Sequence, residues 1–300
     1  MFATRGSSYR VVALTHLCCC SLVSPAAAAG RERVPCIITK ELCVHPFASQ
    51  KSSVLRSHSR IRHSRTLGAG ALLLLATGAA QADDFIVYSP HVLATQSEIE
   101  LRGYGYGDPR ADFNGGHAAE LSVSHAFTDW WKPEIYLARY EKEPGSTGRL
   151  LGYEFENTFQ FTQPGEYWAD VGFLASYEHQ IVADKKDAFE FGPLVEKTVG
   201  RFTHRFNAIW EKQVGVGASG KYEFRYSYSG TYAVSAAFRP GIEAYGRPAD
   251  HAYQAGPIVA GEWHVPGTTS SLEYRFGVVL GLNAAAPRRT WLAQVEYEFF

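Results

Sequence analysis

The sequence predicts an all-β chain: an up-and-down antiparallel transmembrane β-barrel of about twelve strands. Three observations predict it. From residue 97 to residue 300, apolar and polar side chains alternate with period two in runs of about ten residues. The polar face of nearly every run carries charge in mid-strand, whereas a soluble sheet would bury its apolar face and give the polar one to water. Finally, all 5 cysteines and the single methionine lie within residues 1–43, so the chain changes character before the alternation begins.

Residues 56–82 have the layout of a secretory signal. Arg56, Arg60, Arg62 and Arg65 form a basic head, Leu67 to Ala76 a short apolar stretch, and Ala80-Gln81-Ala82 a small-x-small cleavage pattern. The apolar stretch is too short for a transmembrane helix, which needs about 20 residues. Residues 1–55 read as a mis-assigned or non-structural extension, with translation starting near Val54 or Leu55. Residues 83–96 form a short leader, and 97–300 the barrel.

Whole-chain charge is balanced, with 29 Lys+Arg against 30 Asp+Glu. Residues 1–82 hold 10 of those bases and only 2 of the acids, so the mature chain is acidic. That argues against a nucleic-acid binder, which carries a basic excess. A Cys-free mature chain also excludes a small disulfide scaffold.

The strands follow in order near 97–106, 117–127, 131–142, 149–162, 166–181, 188–199, 201–213, 221–230, 232–246, 252–264, 270–282 and 290–300. The clearest run is 151–162, where Leu151, Tyr153, Phe155, Phe159 and Phe161 oppose Gly152, Glu154, Glu156, Thr158 and Gln160. In 221–229, Tyr222, Phe224, Tyr226 and Tyr228 oppose Glu223, Arg225 and Ser227. Tight connections at 128–130, 163–165, Gly200, 229–230 and 266–269 alternate with longer ones at 107–116, 143–148, 182–187, 214–220, 247–251 and 283–289. With short turns on the periplasmic side, both termini are periplasmic. No connection is long enough to fold inward as a large constriction.

Trp130, Trp131, Trp168, Trp210, Trp263 and Trp291 lie near strand ends, where amphipathic rings favour the bilayer interface. The chain ends in Val295-Glu296-Tyr297-Glu298-Phe299-Phe300. With Tyr297, Phe299 and Phe300, this resembles the C-terminal aromatic signal of Gram-negative outer-membrane barrels, except that alternation stops at Phe299 and Phe300 is one extra residue. The resemblance covers roughly 84–300 and identifies the class, small porin- or channel-like barrels of about twelve strands, without a specific family. It implies an outer-membrane location, export by a signal cleaved near Ala82, and, as partners, outer-membrane lipid and the barrel-insertion machinery. Twelve strands are shared by nucleoside and oligosaccharide channels, autotransporter domains, a phospholipase and a lipid A deacylase.

Strict alternation places sixteen acids on the inward face against Arg102, Arg201, Arg205, Arg225, Arg239 and Arg275. Wall charge sets ion preference in a narrow pore, so the expected function is passive diffusion of small solutes with cation preference and no cofactor. Glu154, Glu156, Asp170, Glu178, Arg205, Glu223 and Arg225 are the expected selectivity residues. A plugged lumen with paired charges is the alternative, giving a closed structural or adhesion barrel. A lipid-modifying enzyme needs a nucleophile–base pair. Ser122, Ser124 and Glu120 share a face that His125 does not, leaving only cross-strand partners such as His179 or His204. Catalytic and metal sites are therefore not expected; His179 with Glu178, and His264 with Glu262, are the nearest approaches to ligand pairs.

Overall fold

A computed structural model describes residues 85–300. The expectations for 1–55, for the signal at 56–82 and for the first two leader residues lie outside the described residues. Thirteen strand segments run in chain order: β1 (Ser97–Tyr106), β2 (His117–His125), β3 (Trp131–Lys142), β4 (Arg149–Leu150), β5 (Gly152–Gln160), β6 (Asp170–Gln180) and β7 (Ala188–Val199); then β8 (Phe202–Gln213), β9 (Tyr222–Tyr232), β10 (Arg239–Arg247), β11 (Ala252–His264), β12 (Ser271–Gly281) and β13 (Arg289–Phe299). Each of the long strands pairs antiparallel with its chain neighbours, and β1 pairs with β13, so the sheet closes on itself. β4 and β5 are one interrupted strand, and the architecture is a closed twelve-stranded all-β barrel. Closure removes the unpaired edges that an open sheet would leave.

Alternation sets the two faces. Leu101, Leu137, Phe155, Phe189, Ile242 and Phe276 are all exposed on the outside, while Glu120, Glu154, Glu178, Glu190 and Glu243 are buried inside. The polarity is that of a sheet whose greasy side meets hydrocarbon.

Four local departures from the sequence expectation matter. A bulge in the β2–β3 ladder, between Leu121 and Ser122, turns Arg139 and Glu141 inward where simple alternation would send them out. Gly152 breaks the next strand at φ +153, and a Cβ there would sit 1.9 Å from the His179 carbonyl oxygen. That break puts Leu151 inside, 1% exposed, rather than on the outer face with Tyr153. Ser229-Gly230, expected as a turn, lies within β9; the connection to β10 is 233–238. Glycine there leaves space for the Tyr228 ring, whose hydroxyl would lie 2.7 Å from a Cβ at Gly230. The expected start of β6 at 166 moves to Asp170, whose carboxylate accepts the Gly165 N–H at 2.7 Å and shapes the preceding turn.

One end of the barrel carries Ser97 and Phe299 and is called the terminal end; the other is the far end. Terminal-end connections are 126–130, 161–169, 200–201, 233–238 and 265–270, and far-end ones include 107–116, 181–187, 214–221 and 248–251. The terminal-end segment 161–169 is longer than the far-end segment 248–251, so the length asymmetry is weaker than the sequence implied.

Candidate functional site: the lumen and its leader

The site is the barrel interior, and its geometry follows from register. Strands in a closed barrel tilt and stagger, so a row of cross-strand partners climbs the wall as it goes round. One such row reads Ser271, Glu298, Glu98, Ser124, Glu134, Glu156, Ser176, Glu190, Glu211, Glu223, from β12 through β13 and β1 round to β9. Every member is Glu or Ser. The row starts beside the terminal rim at Glu298 and ends near the far rim at Glu223, so an acidic track runs the height of the wall.

A second row lies two positions away on the same face: Glu262, Glu273, Glu296, Glu100, Ser122, Tyr136, Glu154, Glu178. A third brings the compensating cations: Arg239, Ala260, Arg275, Gln294, Arg102, Glu120, Arg139. Buried carboxylates need such partners. Arg139, itself 0% exposed, donates to Glu120 and Glu178 at 2.9 Å each and lies 3.5 Å from Glu154. Arg102 meets Glu120 at 2.9 Å, Lys132 meets Glu98 at 2.5 Å, and Arg225 is bidentate on Glu190.

The expected wall residues therefore all face inward, in three groups. Glu154 and Glu178 are cross-strand neighbours under Arg139, and Glu156 sits one row away. Arg225 and Glu223 belong to the far end, with Arg247 3.3 Å from Glu223. Asp170 and Arg205 lie on the other side with Glu196, which Arg205 reaches at 2.6 Å. Arg201 is a correction: it sits in the exposed turn after β7, its guanidinium 5.9 Å from the Tyr232 ring, and takes no part in the lumen lining.

The absence of a long inward connection does not leave the lumen clear, because the leader fills part of it. Phe85, Ile86, Tyr88 and Val92 are each under 10% exposed. Phe85 packs against Tyr104 and Tyr245, with ring centroids 4.8 and 5.2 Å away. Ile86 and Tyr88 cluster with Leu174, Leu194 and Ile209, inward apolar side chains among the acids. Pro90 lies where Gly172 leaves room, since a Cβ at Gly172 would be 2.9 Å from the Pro90 ring.

Polar tethers fix the leader's backbone. Tyr88 N–H donates to Asn207 Oδ1 at 2.7 Å, and Asn207 Nδ2 donates to the Tyr88 carbonyl at 3.1 Å. Val92 N–H donates to Gln160 Oε1 at 2.6 Å, and Arg275 Nη2 reaches the Phe85 carbonyl at 2.9 Å. His91 Nε2 stands 2.9 Å from Asp170, and Ser89 Oγ donates to Glu196 at 3.0 Å. Below the leader, toward the terminal end, a cavity of about 590 Å³ remains, lined by Glu98, Glu134, Glu156, Glu273, Glu296 and Glu298 among others, with Arg102, Lys132, Arg205, Arg239 and Arg275 as its Lys and Arg cations.

The far end is clasped by loops. Arg110 holds Asp108 and donates to the carbonyls of Ala284 and Ala286 at 2.6 Å, while Arg288 N–H donates to Asp108. Those bonds hold the Asp108 carboxyl well below the usual carboxylate range, the Arg110 guanidinium being the main cause. In the next loop pair, the Gln180 N–H and the Tyr177 hydroxyl bring the Asp187 carboxyl down to about 2.

The histidines and serines considered for catalysis are spread apart. Ser124 Oγ donates to Glu98 at 2.7 Å inside the lumen. His125 points outward, where its Nδ1 meets Ser97 Oγ at 2.8 Å. His179 Nδ1 is 3.1 Å from Asp187, on the opposite face from Glu178, and His204 Nδ1 is 2.8 Å from the Tyr228 hydroxyl. His264 is 3.4 Å from Glu262 and 75% exposed. Trp130, Trp131, Trp168 and Trp263 gather at the terminal end, and Trp210 and Trp291 toward the far end. Tyr297 and Phe299 stack on the outer face of β13, the strand that closes the barrel.

No protein-family profile and no curated protein matches the sequence. Among solved structures, the chain is similar to the COG4313 outer membrane channel from Pseudomonas putida F1, at 12% identity and a TM-score of 0.46 over 70% of this chain and 97% of that one. It is also similar to the NanC porin (12% identity, TM-score 0.40, 67% and 99% covered) and to the Acinetobacter baumannii outer membrane protein Omp33 (13%, 0.38, 69% and 98%).

Proposed function

We propose that this chain is an outer-membrane channel for small solutes that prefers cations, held in a narrowed state by its own leader. The observation that carries the reading is the unbroken Glu/Ser row that climbs from one rim of the wall to the other. Rings and tracks of carboxylate favour cations in confined pores, because each passing ion exchanges hydration for fixed negative charge. The acid-lined cavity at the terminal end supports the same preference. Its greasy outer face and two levels of tryptophan support a bilayer location. Export by cleavage near Ala82, periplasmic termini and hand-over through Tyr297, Phe299 and Phe300 belong to this reading. N-terminal sequencing of the native protein is expected to begin at Asp83.

Planar-bilayer recording of the purified barrel tests the proposal. A salt gradient should give a reversal potential of cation-selective sign. Absent conductance, or anion preference, overturns it. The buried leader and the dense ion pairing favour a second reading, a closed structural barrel, and that reading predicts no conductance even after the leader is removed.

A further inference from the structure

We propose that the barrel wall holds a divalent-cation site near the far end, built from Glu154 on β5, Glu178 on β6 and Glu190 on β7 with the Ser176 hydroxyl. One carboxylate oxygen from each of the three acids lies within 4.8 Å of the other two. Calcium binds oxygens at about 2.3–2.6 Å, so ligands on opposite sides of one ion stand about 4.6–5.2 Å apart. The three carboxylates are 0, 0 and 1% exposed.

One further observation points to a ligand rather than to a chance gathering of acids. Ser176 is 4% exposed, yet its Oγ makes no hydrogen bond. It stands directly across from Glu190 on one side and Glu156 on the other, two residues before Glu178 on the same face, so the hydroxyl faces the interior beside the cluster, where it can serve as a neutral oxygen ligand. A buried hydroxyl without a partner is costly. One hard divalent ion gives the Ser176 hydroxyl a bond. All four ligand atoms are oxygens, the donor set of calcium or magnesium and not of zinc or copper.

The site shares Ser176 and Glu190 with the Glu/Ser row, but its side chains lie away from the cavity, which Glu98, Glu296 and Glu298 line. The test is calorimetric titration of the detergent-solubilised, EDTA-treated full barrel with calcium chloride and, separately, magnesium chloride. Uptake is expected, with affinity reduced tenfold or more in Glu190→Gln and severalfold in Ser176→Ala. Glu298→Gln, in a separate carboxylate cluster, should retain that uptake. Should Glu190→Gln not fold, Ser176→Ala and the calcium dependence of the wild-type unfolding temperature decide the matter. No uptake by the folded wild type, or affinity unmoved by Ser176→Ala and Glu190→Gln, overturns the site.

Discussion

Asn207→Ala is the sharpest perturbation of the narrowed state. The Asn207 side chain grips the Tyr88 peptide on both sides, accepting from its N–H at 2.7 Å and donating to its carbonyl at 3.1 Å. Burying the four apolar leader side chains contributes about 1.5–3 kcal/mol each, while ordering residues 85–92 costs about 1–2 kcal/mol per residue. Those opposing quantities are of similar size, so the polar tethers decide where the leader rests. Two hydrogen bonds at about 1 kcal/mol each amount to about 2 kcal/mol, and every 1.4 kcal/mol is about tenfold in a population ratio. Asn207→Ala should therefore shift the occupied-to-vacated ratio of the lumen by about 30-fold. Single-channel recording reads this as more frequent or longer full-conductance events, with deletion of 85–92 marking the upper limit. Asn207 also accepts from Ser227 Oγ at 3.1 Å, so heat-modifiable migration must first show that the variant barrel is closed. A folded Asn207→Ala barrel with wild-type conductance and dwell times, beside a leader deletion that conducts more, would refute the tether argument.

Other outcomes follow from the same geometry. Glu98→Gln combined with Glu296→Gln removes two acids from the cavity wall, and the reversal potential in a salt gradient should move toward zero. Arg139→Met strips a shared buried partner from Glu120, Glu154 and Glu178; removing one side of a buried ion pair costs about 3–5 kcal/mol, which should lower the midpoint in denaturant-unfolding experiments. Asp187 titrates at about 2 in the folded loop against about 3.9 unfolded. Its contribution is thus fully present above about pH 4 and lost as pH falls through about 2. Asp187→Asn should flatten that part of the unfolding temperature's pH dependence and leave the rest. Gly152→Ala puts a Cβ 1.9 Å from the His179 carbonyl oxygen, and the expected result is poor assembly into the heat-resistant form.

The barrel was legible because period-two alternation reports which face a side chain joins, whatever lies beyond that face. Glu154, Glu156, Glu178, Glu223 and Arg225 could be placed on the inner wall from spacing alone. Arg139 could not. The bulge that turns it inward is one extra residue in β3, invisible without its partner strand, and alternation assigns it the outer face with Leu137. Lys132, Glu134 and Tyr136 were hidden similarly, in a strand whose apolar and polar residues do not alternate cleanly. The leader's place inside the lumen is hidden for another reason. Its Phe85-Ile86-Val87-Tyr88 run is as apolar as a strand, but its partners are Leu174, Leu194, Ile209 and Tyr245, each one apolar exception on an otherwise polar face. Such inward apolar exceptions were the available signal that something greasy lies inside.

The rows give the proposed cation preference a basis in a barrel with so many paired charges. Pairing is local, but the stagger of the strands sorts the signs by height and angle. Because Glu and Ser alone occupy the row from Ser271 to Glu223, the cations that neutralise it come from neighbouring rows and approach from one side. Residual negative potential then follows the track itself, even where each acid has a partner. Shifting one strand by a single residue would send its row members to the outer face and cut the track. On the proposed reading, selectivity in this wall is a property of register, and the β2–β3 bulge is what brings Arg139 onto its row.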